Sequence, residues 1–430
     1  MIKKIEKNIF GLLLNGGIHN IITIYTGTFL VAHILNVSDG NFFNVALYYT
    51  ISYLVLLVCY SLCSLIIPKF NKVHIVRVGI FFHCISLAIM AILQERLTDY
   101  LVPIAIFYSI GNAIYYSALN SLSNESVKGK KITNYNTYSL IVSNVTSIVV
   151  PIIFGRVIDT SSLYVISVFA LILGILQICS TFLFDKPNLT HNKLDLKGYY
   201  NECYNSHHKK TFQIFFTGYF FYGCKDAIGT LVTMLIVLTF KTNTSLGMIS
   251  SLIACLTILV LIFVNRKYHS KYAYWLLLVT GITAISILCL VININKVAII
   301  FFNICYSAVL AIITRSFTIK RSGLIRAINK KQYIIEHQAV SEMFLNLGRT
   351  SFYLIILFAS FTSEIWIYKA LLMIGLTVVC LYGVFSYVLE KEYEKILIER
   401  EFKKQRITNN EEIHELIPSY SNPNNETILR

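Results

Sequence analysis

A chain of 430 residues that is 56% hydrophobic and only 14% charged holds more apolar surface than one water-soluble core can hide, since soluble domains carry about 25% charged residues. A net charge of +15 would suit a nucleic-acid partner if the basic residues formed a face. They lie instead in breaks between long apolar runs, which excludes that reading and points to a membrane surface and its lipid.

Runs such as Ile21–Val37 and Ala46–Ile67 carry no ionised side chain, and each can cross about 30 Å of hydrocarbon. Without period-2 alternation they select helices over a barrel. Twelve spans are predicted, at 9–35, 42–67, 75–94, 101–122, 135–157, 162–184, 211–238, 244–264, 273–294, 296–314, 338–361 and 364–389. The basic start, Met1–Lys7, precedes an apolar run with no small-residue cleavage site, so the first span reads as a retained helix.

Loops alternate in character. Those on the side of the N-terminus hold 23 lysines and arginines, among them Lys320 and Arg321, against five on the other side: Arg96, Arg156, Lys241, Lys296 and Lys369. By the positive-inside rule both ends lie in the cytoplasm of a multi-pass cell-membrane protein. The longest internal loop, Asp185–Lys210, divides a six-helix unit at 1–184 from a second at 211–389. A tail at 390–430 is expected to begin as a charged helix, Glu390–Arg406, and to be disordered over Thr408–Arg430. A shift of 207 residues superposes Gly11, Gly16, Ile21, Thr23 and Thr26 on Gly218, Gly223, Ile228, Thr230 and Thr233, and sets His19 opposite Asp226. The match equates span one with span seven, as a duplicated unit requires.

Nine of the ten cysteines lie in apolar runs, which argues against a disulfide framework. Cys203, His207 and His208 share a polar loop, yet three ligands without a fourth make an incomplete metal set, and neither metal nor cofactor is expected. With no Gly-x4-Gly-Lys-Ser/Thr loop and no HExxH, Gly-x-Ser-x-Gly or paired intramembrane aspartates, ATP-driven transport and intramembrane catalysis find no support, and no enzyme activity is expected.

Twelve spans, a central loop and a basic link between spans two and three resemble the major facilitator superfamily. That family's usual motif in the link is Gly, three residues, Asp, a basic residue, any residue, Gly, then basic residues. The register here runs from Ser64 to Lys72; Lys69 and Lys72 keep the basic positions, while Ser64, Pro68 and Asn71 replace the Gly, the Asp and the second Gly. The related link in the second half, Asn265–Lys271, is also only basic. Glu336–Arg349 is similar to a stretch in a little-characterised bacterial group of that superfamily. The resemblance implies an all-α membrane protein of two pseudo-symmetric six-helix bundles rocking about a cavity lined mainly by spans one, four, seven and ten. It implies secondary active transport of a small organic solute, with proton-coupled efflux as the form to test and the direction left open. A non-transporting receptor or immunity-type protein on the same fold is the alternative.

In span four Tyr108, Asn112, Tyr116 and Asn120 recur every four residues and share a helical face, as cavity wall or as helix–helix glue. Span two carries a similar stripe of Tyr49, Tyr53, Tyr60 and Ser64, and span ten offers Asn303, Tyr306 and Ser307. With 28 Tyr and 28 Phe, aromatic walls would suit an amphipathic solute, although aromatics also fill helix contacts and interfaces. Charges inside spans cost about 2.5–3.5 kcal/mol each and so point to function. They are Lys225 and Asp226 in span seven, with His19 mid-span one as the titratable counterpart. In span eleven Glu342, Asn346 and Arg349 follow one face, with Arg349 either inside or snorkelling to the surface. An ion pair that only holds helices together is the competing role for each.

Overall fold

In a computed structural model the described residues are 6–67, 70–126, 130–185, 195–205, 208–266, 272–328, 330, 333–361 and 365–416. Pro68 and Lys69 of the first basic link, 267–271 of its counterpart, His207 and the last residues, 417–430, lie outside them. Every regular element among the described residues is helical, as lipid demands of a backbone with no water to satisfy it.

The first span is α1 (Lys7–Ile24), a π-helical turn (Tyr25–Phe29) and α2 (Leu30–Val37). Spans two to six are α3 (Phe43–Ile66), α4 (Lys72–Leu93), α5 (Leu101–Ser126), α6 (Lys130–Thr160) and α7 (Leu163–Ser180). A short α8 (Leu196–Asn205) lies in the central loop. The second half is α9 (Lys209–Phe240), α10 (Asn243–Arg266), α11 (Tyr272–Ile292), α12 (Lys296–Ala327), α13 (Ile334–Ala359) and α14 (Ile365–Leu416). Eleven of the twelve spans are long and apolar enough to cross a bilayer among the described residues, and the twelfth, on α12, has a shorter apolar stretch, Lys296–Ser307. Asparagine caps start two of them: the Asn71 side chain accepts from the Val73 N–H at 3.0 Å and Asn295 from the Ala298 N–H at 2.8 Å. The tail helix expected from Glu390 is continuous with span twelve and remains helical to Leu416, past the point where disorder was expected.

The two halves repeat one packing scheme. In the first, span one packs on spans five and six, span four on spans two and three, and span three on span six. Adding six to each number gives the pairs of the second half: seven with eleven and twelve, ten with eight and nine, nine with twelve. Between the halves the main contacts are α6 with α10 and α3 with α13, which the same operation exchanges.

At the end away from the termini the halves are closed. Asp159 at the end of α6 accepts from the Asn243 and Thr244 backbone N–H groups at 3.1 and 2.7 Å, so one half supplies the N-terminal carboxylate for a helix of the other. Below it α6 and α10 meet backbone to backbone: a side chain added at Gly155 would strike Asn243, and one at Gly247 would strike the carbonyl of Pro151, the proline inside α6. Phe42 packs on Tyr368 at the same end.

The central loop docks on the second half. Tyr199 on α8 bonds His337 Nδ1 at 2.7 Å, the Asp195 N–H donates to Glu336 at 3.0 Å, and Lys330 meets Glu202 at 2.7 Å. This docking removes Cys203 as a reporter of sidedness. The residue is 3% exposed, and burial pushes its thiol up to about 11. Its reaction with a maleimide should therefore be slow at pH 7 from either side and rise about tenfold per pH unit towards 11, because the thiolate is the nucleophile. Tyr200, exposed on the same helix, is the better position. In a variant whose only cysteine is introduced as Tyr200→Cys, an impermeant reagent should leave intact cells unlabelled and label opened membranes; labelling of intact cells would reverse the orientation read from the charge bias.

Candidate functional site

A cavity of about 440 Å³ lies between the halves, within the size range of small-molecule sites, about 300–1,000 Å³. From the first half it is walled by Thr23, Thr26 and Gly27, by Tyr48, Tyr49, Ser52, Tyr53 and Tyr60 of α3, and by Tyr108, Ser109, Asn112, Tyr116 and Asn120 of α5. The second half adds Arg321 from α12 with Glu342, Leu345 and Arg349 from α13. The four-residue periodicity in α5 thus resolves into one wall, and the tyrosine stripe of α3 into another. Spans two and eleven contribute most of the wall expected from seven and ten, with span ten adding only Arg321, because α3 and α13 pack together at the interface.

The π turn opens the helix at Gly27, whose carbonyl accepts from Tyr49 Oη at 3.4 Å, while Thr26 bonds Tyr108 at 2.7 Å. Tyr49, Tyr53 and Tyr353 stack across the halves with centroids 4.8 to 5.8 Å apart. Arg349 lies over the Tyr53 ring at 5.0 Å, a cation–π contact that joins the stack to the charges.

Those charges form a chain. Arg349 donates through Nε and Nη2 to Asp226 Oδ2 at 3.0 and 2.6 Å and through Nη1 to Asn346 Oδ1 at 3.1 Å. Lys225 pairs with Asp226 Oδ1 at 3.1 Å and is 1% exposed, its ammonium 4.7 to 5.9 Å from the ring centroids of Tyr222, Tyr306 and Tyr382. Although adjacent residues diverge by about 100° on a helix, Lys225 and Asp226 reach each other, and the carboxylate faces Arg349 on α13. Arg349 therefore lies inside the bundle and does not snorkel. Nearer the termini Arg321 and Glu342 pair at 2.7 Å, and the Tyr60 phenol meets Asn120 within its own half and Arg321 across the interface.

His19 stands apart from this chain. It bonds Tyr116 Oη at 3.0 Å and packs on Tyr115 and His83 with centroids 4.2 and 5.3 Å away, all within the first half, beside a smaller space of about 250 Å³. The sequence repeat put it opposite Asp226, but the two occupy equivalent places in different bundles. Asn303 and Ser307 bond carbonyls of their own helix, Ile299 at 2.8 Å and Ile304 at 2.6 Å, and do not line the cavity. Tyr306 donates to the Lys225 carbonyl at 3.1 Å and serves as one of the rings around its ammonium.

Arg321, His83 and Asn15 had no role assigned from the sequence. Arg321 was assigned to a loop, whereas α12 continues beyond its apolar part to Ala327 and carries Arg321 to the cavity wall; Lys320, on the same turns, is buried against Glu390. His83 lies in the middle of an apolar span, and that isolation was the available signal. Asn15 is buried as glue: it accepts from Tyr115 Oη at 2.8 Å and donates to Ser180 at 2.8 Å.

Twelve spans in two pseudo-symmetric bundles around a central cavity define the fold of the major facilitator superfamily transporters. Solved structures agree. The nucleoside transporter NupG matches with a TM-score of 0.62 at 12% identity over 90% of this chain and 98% of its own. The human organic anion transporter MFSD10 gives 0.61 at 10% over 91% and 99%, and a bacterial homologue of the iron transporter ferroportin, inward-facing, 0.57 at 14% over 90% and 97%. Such identities establish the fold alone. In sequence the chain is 21% identical over 361 residues to the uncharacterised protein YqgE of Bacillus subtilis, covering 80% of this chain and 81% of that one. No family profile matches.

Proposed function

We propose that the protein is a secondary active transporter that moves a small amphipathic organic solute through a cell membrane by alternating access, with both termini in the cytoplasm. The observation that carries this reading is the cavity at the pseudo-two-fold interface, walled by both halves and closed at one end by contacts that only join halves. Tyrosine walls supply ring faces for stacking and phenols for hydrogen bonds, a combination suited to a molecule with an apolar body and a polar end. The 23 to 5 distribution of basic residues supports the orientation, and the closed end then faces outward.

For coupling, the geometry favours His19 over Asp226 as the proton carrier. Asp226 is flanked by two cations and serves as their counter-ion, whereas His19 Nδ1 is buried without a hydrogen-bond partner among the described residues. Efflux driven by proton entry is the direction we propose to test, in proteoliposomes loaded with a pH dye. Adding solute should move protons, and their direction relative to the solute separates export from import. Spin labels at Asn41 and Lys241, both exposed at the closed end, should move apart when the carrier turns over. A bound solute that leaves both proton flux and label distance unchanged would replace transport with the receptor reading.

A further inference from the structure

The charges around the cavity do not cancel. Arg321 and Glu342 neutralise each other, but Lys225, Asp226 and Arg349 share one negative and two positive charges. The rings around the Lys225 ammonium, together with its Asp226 contact, are surroundings for a cation, which leaves one positive charge in excess beside the cavity. An excess positive charge on a cavity wall favours an anionic solute over a neutral or cationic one.

Arg349 is where that anion can be met. Of its five N–H donors, three are used on Asp226 and Asn346; the other two have no partner among the described residues and belong to a side chain that lines the cavity. One lies on Nη1 and one on Nη2, the nitrogens through which a guanidinium engages a carboxylate by charge-assisted hydrogen bonds. Beneath the guanidinium lies the face of Tyr53, with Tyr49 stacked beside it at 5.8 Å, so an acid group on Arg349 would set the attached body against tyrosine rings.

We infer that the cavity takes an organic anion with a flat ring, its acid group held by the remaining N–H groups of Arg349 and its ring against the tyrosines of α3. The inference rests on the reading of this cavity as a solute site and deepens it by fixing the charge of the solute.

Three nearly isosteric probes test it by calorimetry on the purified full-length protein: 2-naphthoate, 2-naphthamide and 2-naphthamidine, which differ in charge. The anion should bind about tenfold or more tightly than the amide, the effect of one charge-assisted pair, with the amidine weakest. Arg349→Gln should remove that preference, and Arg349→Lys, which keeps the charge but not the fork, should retain part of it in case the glutamine variant folds poorly. Tyr53→Leu should weaken all three probes alike and leave their order unchanged.

Equal binding of the three, tighter amidine, an anion preference that survives in a folded Arg349→Gln, or no binding at millimolar concentration overturns the inference. Chloride competing as tightly as naphthoate also overturns it, because the site would then hold a halide. Naphthoate that binds in the expected order yet drives no flux and no change in label distance would sink the transport reading and leave the charge assignment standing.

Discussion

Replacing Gly247 with leucine is expected to hold the carrier open at the end that carries Asp159 and Asn243, and to stop transport. Gly247 on α10 faces the carbonyl of Pro151 on α6 so closely that even a Cβ would collide with backbone, which cannot yield as a side chain can. Small residues are what permit such close approach of membrane helices. Overpacking of this kind costs about 1–3 kcal/mol, enough to shift a two-state population by about five- to 150-fold. The strain lies between the halves, so separating them relieves it without disturbing either bundle. Spin labels at Asn41 and Lys241 should report a longer distance in the unliganded variant, while its thermal unfolding stays close to that of the parent. Gly348 is the contrasting position: a Cβ there would strike the Phe220 carbonyl on α9, inside the second half, where opening gives no relief. Gly348→Ala should therefore misfold or lose thermal stability. An unchanged distance in Gly247→Leu would mean that the α6–α10 contact does not gate the closed end.

Much of this architecture was legible because the bilayer imposes it. Apolar runs decide span number before any packing is known, and the unusual cost of charge in hydrocarbon singled out Lys225, Asp226 and Arg349. Their pairing was not legible, since Asp226 and Arg349 are 123 residues apart and either could have served another partner. Arg321 was lost for the opposite reason: a charge was taken as the end of a span, although α12 is 32 residues long and keeps its helix well beyond the apolar stretch. The π turn at Tyr25–Phe29 has no distinct residue pattern, because its extra residue is accommodated by tertiary contacts such as Thr26 with Tyr108. In the central loop, α8 could have been found, since the buried Tyr199 and Cys203 stand four residues apart on one face.

The charge chain yields the other large effect. Asp226→Asn leaves Lys225, at 1% exposure, and Arg349 facing each other without the carboxylate that joins them. Removing one member of a buried ion pair costs about 3–5 kcal/mol, because the partner's charge remains and can no longer be compensated. The single variant should therefore unfold at a markedly lower temperature in detergent and be recovered in low yield. Lys225→Met with Asp226→Asn removes one charge of each sign and restores the parent's excess of one positive charge, with methionine filling the space among Tyr222, Tyr306 and Tyr382. Most of the lost stability should return in that double variant, and the naphthoate preference should survive in it, since Arg349 keeps its charge and its remaining N–H donors. The comparison separates two roles that a single substitution confuses. If Asp226→Asn alone proves as stable as the parent, the carboxylate is no counter-ion and its part in proton movement must be reopened. If the double variant is as unstable as the single one, the aspartate matters for its hydrogen bonds to Arg349 rather than for the burial of Lys225, and orientation of the guanidinium becomes its main task.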